Sequence, residues 1–244
     1  MIIRHPTVKG FSFASIDYAK FEEHISASIP GYNEIENIIL GLSEYFVQEN
    51  SNVYDLGCST GRLVTLLNDK HKGKDCVDFI GAEIEPNFYF GIAKRFGYEI
   101  EDVGCEFSFA NMTFSRTDIC SDKFVIENAS FITSVFTFQF LPLHKREELF
   151  KKIYNGLNSG GCLMLTEKVY ACNAKFQDFL TFLYYDHKKK SFTEQEILDK
   201  ERSLRRMMYP VTFVKLESLL KEAGFAHIET VWRNLNFVGV VAEK

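Results

Sequence analysis

Two short stretches of the sequence carry residue types at spacings that could do chemistry. Residues 53–61 read Val-Tyr-Asp-Leu-Gly-Cys-Ser-Thr-Gly, a strand that carries a carboxylate, Asp55, into a Gly-x-x-x-Gly turn ahead of a helix. Glycine lets a backbone turn tightly and approach a ligand closely, and the following helix offers N–H groups with no partner inside it. The spacing is neither the dinucleotide pattern G-x-G-x-x-G nor the phosphate loop G-x-x-x-x-G-K-[ST]. An ordinary tight strand-to-helix turn would read the same way. The second stretch, 79–83, reads Phe-Ile-Gly-Ala-Glu and ends a strand on Glu83, 26 residues after Gly57. In nucleotide-binding sheets an acid in that place accepts hydrogen bonds from two ribose hydroxyls. Its bland role would be a charge at the helix N-terminus near Pro86, which Glu85 can fill as well. Together the two stretches point to a nucleoside-containing cofactor.

Other candidates carry less. Cys58 lies in the glycine loop with no His near it in sequence, so it reads as a small residue tolerated by the turn rather than a nucleophile. Tyr184, Tyr185, Asp186 and His187 cluster phenols, an acid and an imidazole, where a general base could stand, with a plain surface cluster as the alternative. Lys188 to Lys190 and Arg202, Arg205 and Arg206 are basic, but Glu194, Glu196, Asp199 and Glu201 interleave with them. That pattern reads as a solvated helix face ahead of a patch for RNA or an anionic substrate. Phe176, Phe179, Leu180, Phe182, Leu183 and Tyr184 recur at helical spacing, as core or dimer contact, or as a lid over a cleft.

The elements that must position these groups alternate strand and helix. Strands are expected over 52–57, 78–83, 105–110, 129–135 and 162–166, with helices starting at 62 and over 87–96 and 142–157, and a turn at 158–161. That alternation predicts βαβ units and a mostly parallel sheet. A helix over 34–46 precedes them, after the break at Pro30-Gly31, and residues 1–31 carry few periodic signals. Residues 173–208 read as a helical insertion outside the sheet. A last helix over 213–223 stops at Gly224, and 227–232 with 237–242 read as a closing hairpin.

Composition narrows the class. The chain has 244 residues, 46% hydrophobic and 25% charged, enough for a sizeable core and ordinary for a globular protein. Its net charge of −5 argues against a protein that grips a phosphate backbone over a broad basic surface. No apolar run approaches the roughly 20 residues of a membrane helix, and the first 13 residues do not read as a signal peptide. The six cysteines, at 58, 76, 105, 120, 162 and 172, include no CxxC pair, and no two of the six His stand at i, i+3 or i+4. Reduced thiols in a cytosol and no metal site are therefore expected.

The D/E-x-G-x-x-x-G turn resembles that of class I S-adenosylmethionine-dependent methyltransferases. More narrowly, the chain from about Phe11 to Lys244 resembles the carboxy-S-adenosylmethionine synthase family. The likeness is carried by Ser-Ile-Pro-Gly-Tyr-Asn-Glu-Ile at 28–35, by 53–59, and by Phe-Thr-Phe-Gln-Phe-Leu at 136–141. Further pieces are 152–161, Thr-Glu-Lys at 166–168, Glu196-Ile197, Ala-Gly-Phe at 223–225, and Trp232 with Asn236-Phe237.

The resemblance implies S-adenosylmethionine or its carboxylated form as cofactor and a cytoplasmic homodimer. It also implies a reaction with prephenate, whose product serves a separate enzyme that modifies wobble uridine in tRNA. Carried over by position, Tyr32, Gly57, Cys58 and Ser59 would surround the methionine part of the cofactor, with Gly61 closing the loop. Glu83, with Ile84 beside it, stands where the family has an Asp for the ribose. Asn111 and Met112 fall at the adenine, Val135 replaces an asparagine, and Glu201 replaces the arginine that holds the transferred carboxylate, with Arg202 next door. At ~4 Å and an effective dielectric of about 20, such a charge reversal changes an interaction by several kcal/mol.

The expected fold is therefore α/β, a class I methyltransferase-like (Rossmann-like), mainly parallel sheet in a single domain over 1–244. A helical cap covers 1–50, the insertion 173–208 precedes the last helix, and a strand hairpin closes the chain. The expected function is an S-adenosylmethionine-dependent transferase with the acceptor unread, or carboxy-S-adenosylmethionine synthase itself. From another class comes a binding protein that keeps the pocket without the chemistry. Its partners would be a small-molecule substrate and a second copy of the chain, with no membrane and no direct nucleic-acid contact.

Overall fold

In the computed structural model, residues 17–99, 101 and 103–244 are described. Eight strands form one sheet in the order β3-β4-β2-β1-β5-β6-β8-β7. Five of them, β4 (Met112–Arg116), β2 (Val77–Glu83), β1 (Ser51–Leu56), β5 (Ala129–Val135) and β6 (Leu157–Lys168), run parallel. At one edge β3 (Glu106–Phe109) pairs antiparallel with β4, and at the other β8 (Phe237–Glu243) and β7 (His227–Asn234) add antiparallel to β6. The parallel centre and the closing hairpin match the sequence expectation.

Alternation along the strands sends side chains into two cores. Val53, Phe131, Cys162 and Met164 enter the one packed by α2 (Tyr32–Phe46), α3 (Arg62–Lys70) and α4 (Pro86–Arg95). Tyr54, Leu56, Ile132, Leu163 and Leu165 enter the other, packed by α5 (Leu143–Gly156) and α8 (Phe213–Ala223). A sheet covered on both faces is what continuous apolar strands require.

Three local expectations change. The strand expected at 105–110 is the antiparallel edge strand β3, and the third parallel strand is β4, which the sequence reading missed. The turn expected at 158–161 is absorbed into β6, where the register shifts and Gly160 takes φ +72°. Before α2, a short 3-10 turn (Tyr18–Lys20) and α1 (Phe21–Ser28) fill part of the stretch that carried no periodic signal, while residues 1–16 of the expected cap lie outside those described. The insertion consists of α6 (Ala174–Lys188) and α7 (Glu194–Leu204), the latter started by a capping box between Thr193 and Glu196.

Candidate active site

The neighbours of β1 lie on either side of it with their connections on opposite sides, so a crevice opens at the carboxyl ends of the strands. The glycine loop starts there. Gly57 and Cys58 donate their N–H groups to Ala82 O at 2.8 and 3.0 Å, which welds the loop to the end of β2. Gly57 takes φ +82°, and a Cβ on it would lie 2.3 Å from Thr137 Oγ1, so only glycine fits. Ser59 also has positive φ, and its N–H donates to Glu83 Oε2 at 2.8 Å. The Glu85 N–H donates to Glu83 Oε1 at 2.8 Å. Burial raises the Glu83 carboxyl above its ordinary value, against the lowering by these backbone donors. The carboxylate thus accepts from the backbone of Ser59, Glu85 and Ile84, and with about four acceptor positions it keeps capacity for a ligand. Beneath the loop Asp55 is 3% exposed and accepts a bond from Thr133 Oγ1 at 2.8 Å. Burial pushes its carboxyl up to about 7.

Above these groups lies a cavity of about 410 Å³. Its floor is the loop, Glu83 and the segment Thr117-Asp118-Ile119, which is tied to β2 by the Thr117 N–H on Glu83 O at 3.1 Å. One wall is aromatic. Tyr32 stacks on Phe136 at 6.3 Å between ring centres, Phe136 meets Phe237 at 5.7 Å, and Phe237 meets Tyr184 at 5.3 Å. The roof comes from α1 and from α7 with the turn after it, through Ile25, Ser28, Leu204, Met207 and Met208.

The far end is basic: Lys168, from the last residue of β6, and Lys200, on α7, both line the cavity. Lys200 Nζ meets His24 Nε2 closely and Ser28 Oγ at 3.5 Å. Burial, and then the neighbouring ammonium of Lys188, lowers Lys200 to about 7, and burial with the Lys200 charge lowers His24 to about 4. A neutral imidazole is therefore the partner that Lys200 can donate to.

Of the residues singled out in the sequence, Tyr32, Gly57, Cys58, Ser59, Glu83, Ile84 and Val135 line the cavity. Gly61 does not: it caps α3 at φ +67°, where a Cβ would press on Phe114 at 2.9 Å, so its glycine serves packing. Asn111 and Met112 lie at the wrong end of β4, where Asn111 Nδ2 donates to Val77 O at 2.8 Å. Because the strand runs over 112–116, the residues that reach the cavity are Asp118 and Ile119 instead. Arg202 points outward to Asp199 at 3.2 Å, and Glu201 faces away from the cavity to Lys168 and Lys188.

The turn of α7 thus brings Lys200, the residue before Glu201, to the cavity; one residue is about 100° of rotation. Lys188, read as part of a solvated face, is 1% exposed. Cys58 is buried and its thiol is pushed well up by burial, which agrees with a residue that is no nucleophile. In the phenol-rich cluster, Tyr184 reaches the cavity and His187 does not. Lys168, Lys200 and His24 went unread, although Lys168 sits in the quoted Thr-Glu-Lys string. Among the described residues no group of three His, Cys, Asp or Glu could hold a metal ion, and no helix is long and apolar enough to cross a membrane.

Carboxy-S-adenosyl-L-methionine synthase of Staphylococcus epidermidis is 34% identical over 226 residues, covering 92% of each chain. The chain belongs to the carboxy-S-adenosyl-L-methionine synthase family. Family members from Shewanella oneidensis (33% identical, 97% of this chain and 94% of theirs) and Nautilia profundicola (31%, 100% and 98%) agree along the whole length. No protein-family model matches the chain. Among solved structures it is similar to a putative O-methyltransferase from Nostoc punctiforme, with a TM-score of 0.60 at 15% identity over 93% of this chain and 60% of that one. It is also similar to Haemonchus contortus phosphoethanolamine N-methyltransferase 2 in complex with S-adenosyl-L-methionine, at 0.55 and 16% over 88% and 43%. The fold shared by the family is thus that of the class I methyltransferases, and the chain is an S-adenosylmethionine-dependent transferase.

Proposed function

We propose that the cavity binds S-adenosylmethionine and that the chain converts it to carboxy-S-adenosyl-L-methionine, with prephenate as the carboxyl source that the family resemblance implies. The observation that carries this reading is the two-ended cavity, with Glu83 and the glycine loop at one end and Lys168 and Lys200 at the other. The residues fit the ligand. Ser59 Oγ is buried with no hydrogen-bond partner, and the Glu83 oxygens have acceptor capacity to spare for the two ribose hydroxyls. In this reading Gly57, Cys58, Ser59 and Tyr32 surround the methionine part, and Ile84 with Asp118 and Ile119 frames the adenine.

When bound, S-adenosylmethionine supplies a sulfonium whose charge activates the carbon attached to it. What remains for the chain is orientation and exclusion of water. Phe136, Phe237 and Tyr184 form a dry wall, and Lys200, which burial lowers to about 7, can hold a carboxylate in its protonated form where the family uses an arginine on the next residue. Val135, an apolar residue in place of the family's asparagine, favours a second reading, methyl transfer to another acceptor.

The exposed side chains of Phe176, Phe179, Phe182 and Leu183 on α6 support a homodimer, since a contiguous apolar helix face is an interface in search of cover. A cytoplasmic enzyme whose product is passed to a tRNA-modifying partner completes the proposal. The purified protein is incubated with S-adenosylmethionine and prephenate and the products are weighed by mass spectrometry. A sulfonium heavier by one carboxylate supports the proposal. S-adenosylhomocysteine together with an acceptor heavier by one methyl group, with prephenate or a cell extract as the acceptor source, replaces it with methyl transfer, and tight binding with neither product under both conditions replaces it with a non-catalytic binder.

A further inference from the structure

Position 201 holds a carboxylate that never reaches the cavity, yet it is built into the cavity's basic end. Glu201 is 8% exposed. Its Oε2 lies 3.8 Å from Lys168 Nζ and its Oε1 lies 3.7 Å from Lys188 Nζ. At those separations the coupling is through charge, and neither Lys188 Nζ nor Glu201 Oε1 has a hydrogen-bond partner. The Tyr184 ring packs against both ammonium groups, 4.9 Å from Lys168 Nζ and 5.0 Å from Lys188 Nζ. Lys168 belongs to β6, Lys188 to α6 and Glu201 to α7, so one carboxylate ties both insertion helices to the sheet.

The groups that face this cluster are otherwise cations, phenols and an imidazole: Lys200 and Arg205 from α7 and its end, Tyr184 and Tyr185 from α6, and His24 from α1. Burial lowers Lys168, Lys188 and Lys200 below the ordinary lysine value, their mutual repulsion lowers Lys188 and Lys200 further, and Glu201 opposes that in all three. A buried ammonium without a counter-charge gives up its proton.

We propose that Glu201 is a positioning residue that sets the charge of the cavity wall, holding Lys168 protonated at the end of β6 where it faces the ligand. Position 201 then enters the reaction through Lys168, not by touching substrate. Its consequence for catalysis rests on reading the cavity as the reaction site, whereas the charge balance stands apart from that reading.

The test is a pH titration of Lys168, followed by NMR in protein carrying 13C at the lysine Cε and assigned with Lys168→Arg. Glu201→Gln is expected to move the Lys168 midpoint down by about one pH unit or more, and Glu201→Asp to bring most of it back. Lys188→Met, which removes the competing ammonium, is expected to move it up. A folded Glu201→Gln protein, judged by near-ultraviolet circular dichroism, whose midpoint stays within about 0.3 unit of the parent overturns the proposal. Should Glu201→Gln fail to fold, it is made together with Lys188→Met, which removes the ammonium left without its counter-charge, and a Lys168 midpoint unmoved from that of Lys188→Met alone overturns the proposal equally. Calorimetry with S-adenosylhomocysteine runs alongside. A parent protein that does not bind it defeats the reading of the cavity, while the Lys168 titration still decides the role of Glu201.

Discussion

Replacing Glu83 by Gln tests the nucleoside end of the cavity with almost no change in shape. Two effects follow from the geometry. First, the carboxylate accepts the Ser59 N–H on Oε2 and the Glu85 N–H on Oε1, both at 2.8 Å. An amide has a single oxygen, so one of those N–H groups meets an NH₂ instead and loses its acceptor, at a cost of about 1–3 kcal/mol in stability. Second, the ribose hydroxyls lose a charged acceptor, and a hydrogen bond to a charged group contributes about 1.5–3 kcal/mol. That corresponds to a roughly ten- to 150-fold weaker Kd for S-adenosylhomocysteine. Isothermal calorimetry on the folded variant, paired with a urea melt, separates the two effects. A Glu83→Gln protein that binds S-adenosylhomocysteine within about twofold of the parent, less than 0.5 kcal/mol, would refute the assignment of this carboxylate to the ribose.

Three more outcomes follow. Asp55 is raised from 3.8 to about 7 by burial, so the folded chain keeps a proton that the unfolded chain releases. Its contribution to stability is full below the unfolded value and is lost as pH rises towards about 7, and Asp55→Asn should flatten that part of a stability-against-pH curve measured by urea unfolding. Arg146 and Glu167 form a fully buried pair at 3.1 Å, and Arg146 also donates to Leu141 O and Tyr209 O. Arg146→Met should cost about 3–5 kcal/mol in the same assay, and adding Glu167→Gln should recover part of it, because the buried charge then goes with its partner. Phe179→Glu with Phe182→Glu should convert a dimer to a monomer in light scattering while leaving the melting temperature of the subunit nearly unchanged, since both side chains are exposed.

The parts of the site that were legible in the sequence are those made by adjacent residues. A strand, a carboxylate and a glycine turn are written in nine consecutive letters, and the loop forms as read because Gly57 has no room for a Cβ. The edge of the sheet was misread for an equally local reason. Phe107 and Phe109 alternate with polar residues, and so do Met112 and Phe114, but the link between them is Ala110-Asn111. Ala110 takes φ +53° without being glycine, so the hairpin gave no turn signal and the strand of the parallel sheet was overlooked. The pair expected at the end of that strand then shifted, from Asn111-Met112 to Asp118-Ile119. The basic end was harder still. Lys168 and Lys200 lie 32 positions apart and come to one cavity because α7 turns Lys200 towards it while Glu201 faces Lys168, an arrangement that no periodicity writes.

The roof over the cavity is stitched from α1, near one end of the chain, and from Lys200 to Met208, about four-fifths of the way along it. A chain cut short ahead of α7 would therefore keep the floor and the part of the roof that α1 supplies, and would lack Lys200 and the turn after it. A roof drawn from two such distant segments closes only when both have docked onto the sheet, so a bound ligand reports that α1 and α7 are in place together.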